Sequence, residues 1–145
     1  MTDEIYELSC NLDDMPPEDV AFAMERLLEA GALDVYTVPI GMKKNRPGIL
    51  LSVLCRPGDR EKMARLLFRY TTTLGVRETA HSRYILRREN EILQTPFGPV
   101  REKRVEGFGV CRKKPEYEDI RRIALERELS PRQVREMIYG KDEET

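Results

Sequence analysis

The segment Asn11-Leu12-Asp13-Asp14 ends in two adjacent carboxylates, and the basic residues cluster in Lys43, Lys44 and Arg46 of one loop and in Arg101, Lys103, Arg104, Arg112, Lys113 and Lys114 of another region, so that local anion sites are possible. Carboxylate oxygens are hard donors suited to a divalent cation, and lysine and arginine neutralise the phosphate oxygens such a cation leaves uncovered. Two aspartates before a helix can equally act as caps, although one is enough for that. The lysine-rich loop has its own alternative as a solvated hairpin; its functional version is a phosphate clamp, with Arg46 as a planar fork and Lys43 and Lys44 as point charges. Three threonines in a row, Thr71, Thr72 and Thr73, waste helix propensity at a helix end, which hydroxyls aimed at a ligand would explain, as would back-bonding to the preceding turn. Lys113-Lys114-Pro115-Glu116-Tyr117-Glu118-Asp119 sets charges of both signs around an aromatic. Tyr117 could stack on a base there, or Glu118 or Asp119 could simply cap a helix.

Bulk properties narrow the chemistry. A chain of 145 residues, 40% of them hydrophobic, fits one domain with an added subdomain and can bury a core. No run approaches the roughly 18 to 20 apolar residues of a membrane span, and the acidic start is unlike a signal peptide, so a cytoplasmic protein with no membrane partner is expected. Cys10, Cys55 and Cys111 are odd in number and form no C-x-x-C pair, which argues for reduced, buried thiols rather than disulfides or a thiolate zinc site. His81 is the only histidine, and a structural role is expected of it; any metal is therefore expected to be held by oxygen. A net charge of -1 speaks against a general polyanion-binding surface, so a nucleic-acid partner is not expected.

These residues need elements to hold them. Alternation over residues 5–12 predicts a strand, and Pro16 and Pro17 open a helix whose apolar spacing runs through Val20, Ala23, Met24, Leu27 and Leu28 to Gly31. Residues 33–42 and 49–56 read as a hairpin joined through Lys43 to Gly48. Asp59 is the expected N-cap of a second helix with the stripe Met63, Leu66, Leu67, Tyr70 and Leu74, closed by Gly75, before a fourth strand over residues 76–86. The expected class is α+β: a ferredoxin-like β-α-β-β-α-β sandwich over residues 1–90, then a β-hairpin and a helical pair over residues 91–145. In that topology the turn after the first strand and the loop after the second emerge at one end of the sheet, and the second helix returns there. Asp13, Asp14, Lys43, Lys44, Arg46, Thr71 to Thr73 and Arg77 are therefore expected as neighbours. The later hairpin turns at Pro96-Phe97-Gly98-Pro99, the last two helices run from about Tyr117 to Glu128 and from a capping box at Ser130-Pro131-Arg132-Gln133 to Gly140, and Lys141 to Thr145 are expected to fray.

Taken together, the chain resembles the carboxy-terminal half of the nickel insertion proteins, the pyridinium-bisthiocarboxylate mononucleotide nickel cyclometallases. The matching stretches are Asn11 to Met15, Met24 to Val35, Pro39-Ile40 with Met42 to Gly48, Thr71 to Arg77, Thr95 to Arg101, and Lys114 to Asp119, in order over nearly the whole chain. The resemblance implies hydrolysis of CTP with Mg2+ or Mn2+ and insertion of Ni2+ into the pyridinium mononucleotide, yielding the nickel-pincer cofactor of lactate racemase. It also implies that an amino-terminal part of the longer enzyme is absent and that this part binds CTP. By the same resemblance, Asp13, Asp14 and Lys44 are the catalytic candidates, and Asp13 and Asp14 with Glu118 the metal ligands. The nucleotide-binding candidates are Lys43, Lys44, Arg46, Thr71, Thr72, Thr73, Arg77, Arg101, Lys103, Lys114 and Tyr117. Arg101 and Lys103 are expected to leave the sheet at its opposite end and to reach a nucleotide by folding back or from a neighbouring protomer, which predicts a homo-oligomer. Activation of the substrate by nucleotidyl transfer would need a metal and these cations to offset charge on the phosphates. The rival reading is a helix-turn-helix nucleic-acid-binding regulator with a ligand-sensing front half, since Ala124, Leu129, Ser130 and Val134 sit on two helices joined by a tight turn; Glu128 stands where glycine is usual.

Overall fold

The computed structural model describes residues 1–140, and the expected fraying of Lys141 to Thr145 lies outside them. The described residues form two compact units, Thr2–Tyr84 and Ile85 onward together with Met1.

The first unit is built as strand β1 (Thr2–Leu12), helix α1 (Pro17–Glu29), strands β2 (Asp34–Met42) and β3 (Arg46–Cys55), helix α2 (Arg60–Tyr70) and strand β4 (Arg77–Tyr84). Its antiparallel sheet has the order β2-β3-β1-β4, which is the connectivity and pairing expected of a β-α-β-β-α-β sandwich. One face carries Leu8, Cys10 and Leu12 of β1 and Leu51, Val53 and Cys55 of β3. Leu27 of α1 and Met63 and Leu67 of α2 pack on that face. Each such large apolar side chain contributes about 1.5–3 kcal/mol by burial, so this cluster fixes where β1 and α2 end and hence where the polar loops begin.

Several local expectations change. The β2–β3 connection is shorter than Lys43 to Gly48: Met42 pairs with Arg46, leaving a single turn of 3-10 helix, Lys43–Asn45. Pro47 and Gly48 belong to β3, opposite Gly41 and Ile40. Lys44 and Asn45 take left-handed φ angles of 59° and 57°, the price of so tight a reversal without glycine. Helix α2 stops at Tyr70, not at Gly75, because Thr71 turns to extended backbone (φ -128°, ψ 170°) and its hydroxyl caps the Leu67 carbonyl at 2.7 Å. Leu74, expected in the α2 stripe, is fully exposed. Asp59 precedes α2 but makes no capping hydrogen bond; its carboxylate faces Lys62 at 3.0 Å.

The second unit is a three-stranded antiparallel sheet, β5 (Arg87–Thr95), β6 (Gly98–Gly107) and β7 (Val110–Pro115), followed by helices α3 (Tyr117–Arg127) and α4 (Pro131–Tyr139). The two-stranded hairpin expected from Ile92 onward is longer, β5 beginning at Arg87, and gains a third strand. The extra strand β7 is rich in charge and has no apolar alternation, so pairing with β6, not burial, makes it a strand. Val100 of β6 packs against Ile120, Ile123, Ala124 and Val134 of the two helices. The capping box at Ser130 forms as expected: Gln133 N donates to Ser130 Oγ at 3.2 Å and Ser130 N to Gln133 Oε1 at 2.9 Å.

Cys10 and Cys55 are buried free thiols, and burial raises both pKa values. Cys111 is exposed, against expectation, because β7 presents it at the surface.

Candidate functional site

Three loops of the first unit meet around the turn that follows β1. Asp13 Oδ2 lies 3.7 Å from Arg46 Nη1 of the β2–β3 turn. The Thr72 hydroxyl, from the loop after α2, donates to Asp14 Oδ1 at 2.5 Å. Arg77 Nη2, at the start of β4, donates to Asn11 Oδ1 at 2.9 Å. These contacts follow from the sheet order: β1 lies between β3 and β4, so its end is flanked by the β2–β3 turn and by the entry to β4.

Asn11, Asp13, Gly41, Met42, Lys43, Lys44 and Arg46 line an open cleft of about 570 Å³. Lys43 and Lys44 are exposed, so their charges face this cleft and solvent. Behind this cleft, Gly48 of β3 lies against the end of β1. A Cβ there would stand 2.7 Å from the Leu12 carbonyl oxygen and 2.4 Å from Met42 Sδ, so only glycine lets β3 approach the end of β1 this closely.

The aspartates are not spent on capping. Helix α1 has Pro16 as its N-cap residue and no side-chain capping bond. Asp13 and Asp14 therefore remain as two adjacent hard-oxygen donors, which fits a divalent cation that completes its shell with phosphate or water oxygens. Among the described residues no three His, Cys, Asp or Glu side chains gather into a ready metal cage. Of the three threonines, Thr71 is occupied by Leu67, Thr73 donates to its own turn at the Gly75 carbonyl (2.7 Å), and Thr72 alone reaches an aspartate.

The remaining candidates, Arg101, Lys103, Lys114, Tyr117 and Glu118, belong to the second unit. Arg101 is bound by Asp119, whose Oδ2 accepts from the Arg101 backbone N at 2.7 Å and from its Nε at 3.0 Å, while Oδ1 accepts from Nη2 at 3.1 Å. These bonds hold the Asp119 carboxyl below its ordinary pKa and raise that of Arg101. The expected helix cap at Glu118 or Asp119 is not used: Glu116 is the N-cap residue, without a side-chain capping bond. Glu116 instead pairs with Lys103 Nζ at 2.7 Å, which lowers its pKa. Lys114, Tyr117 and Glu118 are exposed.

Asn11, not among the sequence candidates, joins the site through Arg77; the signal for it is its place at the strand end, two residues before Asp13. Arg88 and Arg135, absent from the sequence candidates, line a second cleft with Lys103, Lys114, Tyr117 and Arg112, the last a member of the basic group from Arg101 to Lys114. His81 Nε2 lies 3.0 Å from Glu7 Oε2 on the sheet, and Tyr36 donates to the other oxygen of Glu7, which holds that carboxyl below its usual pKa.

The family model described as nickel insertion protein matches residues 1–135. The chain belongs to the nickel insertion protein family. It is 47% identical over 125 residues to the pyridinium-3,5-bisthiocarboxylic acid mononucleotide nickel insertion protein of Acetivibrio thermocellus, a match covering 86% of this chain and 30% of that protein. It is 41% identical over 127 residues to the protein of the same name from Geobacillus kaustophilus, covering 87% of this chain and 31% of that one. The chain thus spans about a third of the length of these curated nickel insertion proteins. Among solved structures it resembles LarC2, described as the C-terminal domain of a cyclometallase involved in the synthesis of the NPN cofactor of lactate racemase, in its apo form. That match has a TM-score of 0.76 at 36% identity and covers 92% of this chain and 93% of that one. A protein of Methanopyrus kandleri matches with a TM-score of 0.69 at 29% identity, covering 94% of this chain and 87% of that one. Among the described residues no helix is long and apolar enough to cross a membrane.

Proposed function

We propose that this chain is the nucleotide-handling part of an enzyme that inserts Ni2+ into pyridinium-3,5-bisthiocarboxylic acid mononucleotide, and that it binds CTP with Mg2+ or Mn2+ at the end of β1. The observation that carries the reading is the meeting of three polar loops there, through Asp13 with Arg46, Asp14 with Thr72 and Asn11 with Arg77. Membership of the nickel insertion protein family, and the nickel insertion proteins it resembles, support the nickel chemistry and the substrate.

In this reading Lys43, Lys44 and Arg46 hold the triphosphate oxygens, Arg46 exchanging its long contact with Asp13 for phosphate. Charge-assisted bonds of this kind contribute about 1.5–3 kcal/mol each. Thr72 orients Asp14 by holding Oδ1, leaving Oδ2 for a divalent cation. A divalent cation held by Asp13 and Asp14 would supply charge neutralisation on the phosphates. In this reading the ammonium of Lys44, on a left-handed turn at the cleft, would steady the leaving phosphates. Ni2+ is the inserted substrate metal, distinct from the cation bound with CTP.

Calorimetric titration with CTP and Mn2+ tests the site. The native chain is expected to bind, and Asp14→Asn to bind at least tenfold more weakly, about 1.4 kcal/mol. Equal binding by both removes the metal assignment. In the full-length protein the same substitution is expected to abolish nickel uptake by the mononucleotide, read by mass spectrometry of the product.

A further inference from the structure

We infer that the second unit carries a separate, metal-independent anion site, and that its ligand is the anionic pyridinium mononucleotide. The existence of the site rests on the geometry below; only the ligand's identity rests on the nickel-insertion reading.

A cleft of about 500 Å³ is lined by Arg88 of β5, Lys103 of β6, Arg112 and Lys114 of β7, Tyr117 of α3 and Arg135 of α4. The register places these cations in two adjoining rows. Arg88 lies opposite Val105, which lies opposite Arg112; Asn90 lies opposite Lys103, which lies opposite Lys114. Residues directly opposite in antiparallel pairs share a face, and like charges so placed destabilise the sheet. Lys103 against Lys114 is such a pair. Lys103 has its charge answered by Glu116, and Lys113, which reaches the same cleft from the other face of β7, by Glu91 and Glu102. Arg88, Arg112, Lys114 and Arg135 make no ion pair among the described residues, although the same sheet's other face is laced with them, as between Arg104 and Glu106 or Lys113 and Glu102. On this face Arg101 and Lys103 are paired, whereas Arg88, Arg112 and Lys114 are left unanswered among the described residues, an arrangement a bound anion would complete.

The composition of the lining separates this cleft from the one in the first unit. There, two aspartates stand beside the cations, and a phosphate needs a metal between itself and those carboxylates. Here the one carboxylate of the lining, Glu116, is already paired, so a phosphate can bind directly, with Arg88, Arg112 and Arg135 as planar forks. Tyr117, 53% exposed, gives the cleft an aromatic wall. A tyrosine face attracts a cationic ring, and a pyridinium is such a ring, whereas a neutral base gains only ordinary stacking. A mononucleotide that joins a pyridinium to phosphate and thiocarboxylate groups matches both the wall and the cations.

Calorimetry with nicotinic acid mononucleotide, a pyridinium mononucleotide bearing one carboxylate, tests this on the native chain in the presence of EDTA. Binding is expected to survive the chelator, to weaken about tenfold in each of Arg112→Gln and Arg135→Gln, to weaken several-fold in Tyr117→Leu, and to be unchanged in Lys44→Ala. Both arginines are exposed and without ion pairs among the described residues, and an unchanged melting temperature and unchanged CTP–Mn2+ binding are the expected controls for folding. Loss of binding on chelation, or full affinity in both arginine variants, overturns the site. Equal affinity for cytidine monophosphate, or for inorganic phosphate, overturns the pyridinium assignment. If CTP with Mn2+ fails to bind while nicotinic acid mononucleotide still does, the fault lies in the proposed function of the first unit and not in this site.

Discussion

Substitution of Gly48 by alanine probes the junction on which the first unit's cleft depends. The new Cβ would sit 2.7 Å from the Leu12 carbonyl oxygen and 2.4 Å from Met42 Sδ. Met42 is flexible and can swing aside, but the carbonyl is backbone, so β1 and β3 must separate by several tenths of an ångström to restore ordinary contact. Overpacking of this kind costs about 1–3 kcal/mol. At about 4 °C per kcal/mol for a protein of this size, the melting temperature should fall by about 4–12 °C. Gly41 supplies the control: it lies in the same hairpin, and a Cβ there would meet nothing within 4 Å, so Gly41→Ala should change stability by no more than about 0.5 kcal/mol. The displaced carbonyl belongs to Leu12, immediately before Asp13, so CTP–Mn2+ binding by Gly48→Ala should weaken beyond any effect of Gly41→Ala. Thermal denaturation followed by circular dichroism, with calorimetry at a temperature where both variants are folded, reads both quantities. Equal melting temperatures for the two variants would refute the close approach of β3 to the end of β1.

Other expectations concern the second unit and the assembly. Asp119 has its pKa lowered from the usual 3.8 by its hydrogen bonds from Arg101, so its contribution to stability is present above that value and lost as pH falls through the lower folded value. Urea titrations between about pH 5 and pH 2.5 should therefore show a stability loss in the native protein that is smaller in Asp119→Asn, and parallel pH profiles would contradict the assignment. Ser130→Ala removes the acceptor for Gln133 N and should cost about 0.5–2 kcal/mol, whereas Ser130→Asp should largely restore it; an unaffected melting temperature in Ser130→Ala would exclude a stabilising capping box. Light scattering of the CTP–Mn2+ complex is expected to give a mass above that of one chain, and a single-chain mass would end the oligomer expectation.

The parts of the fold that were legible in the sequence are those that depend on neighbours in the chain. The α1 stripe of Val20, Ala23 and Leu27, the proline start, and the capping box at Ser130 are set by residues three or four apart, and each appears where its pattern lies. The alternation of β1 and β3 and the element order gave the sheet connectivity, and connectivity alone brought Asp13 near Arg46 across an otherwise unremarked separation in sequence. Misreadings arose where a local pattern competed with a distant partner. Leu74 continued the spacing of α2, but no core surface lies under it and Thr71 had already closed the helix on Leu67. Strand β7 carries no pattern of its own, and only the exposed edge of β6 made it a strand.

The amino-acid sequence thus determined which residue types were available for chemistry, where the helices begin, and the order in which strands could pair, because these are consequences of propensity, periodicity and chain connectivity. Tertiary structure alone decided which of those residues are already engaged. Asp119 takes Arg101, Glu116 takes Lys103 and Asp14 takes Thr72. Arg88, Arg112 and Arg135 come together from three separate elements. A charge is free or bound according to the side chain that packing sets within about 4 Å of it, and for Arg101 and Lys103 that partner comes from a segment more than ten residues away, brought there by the fold.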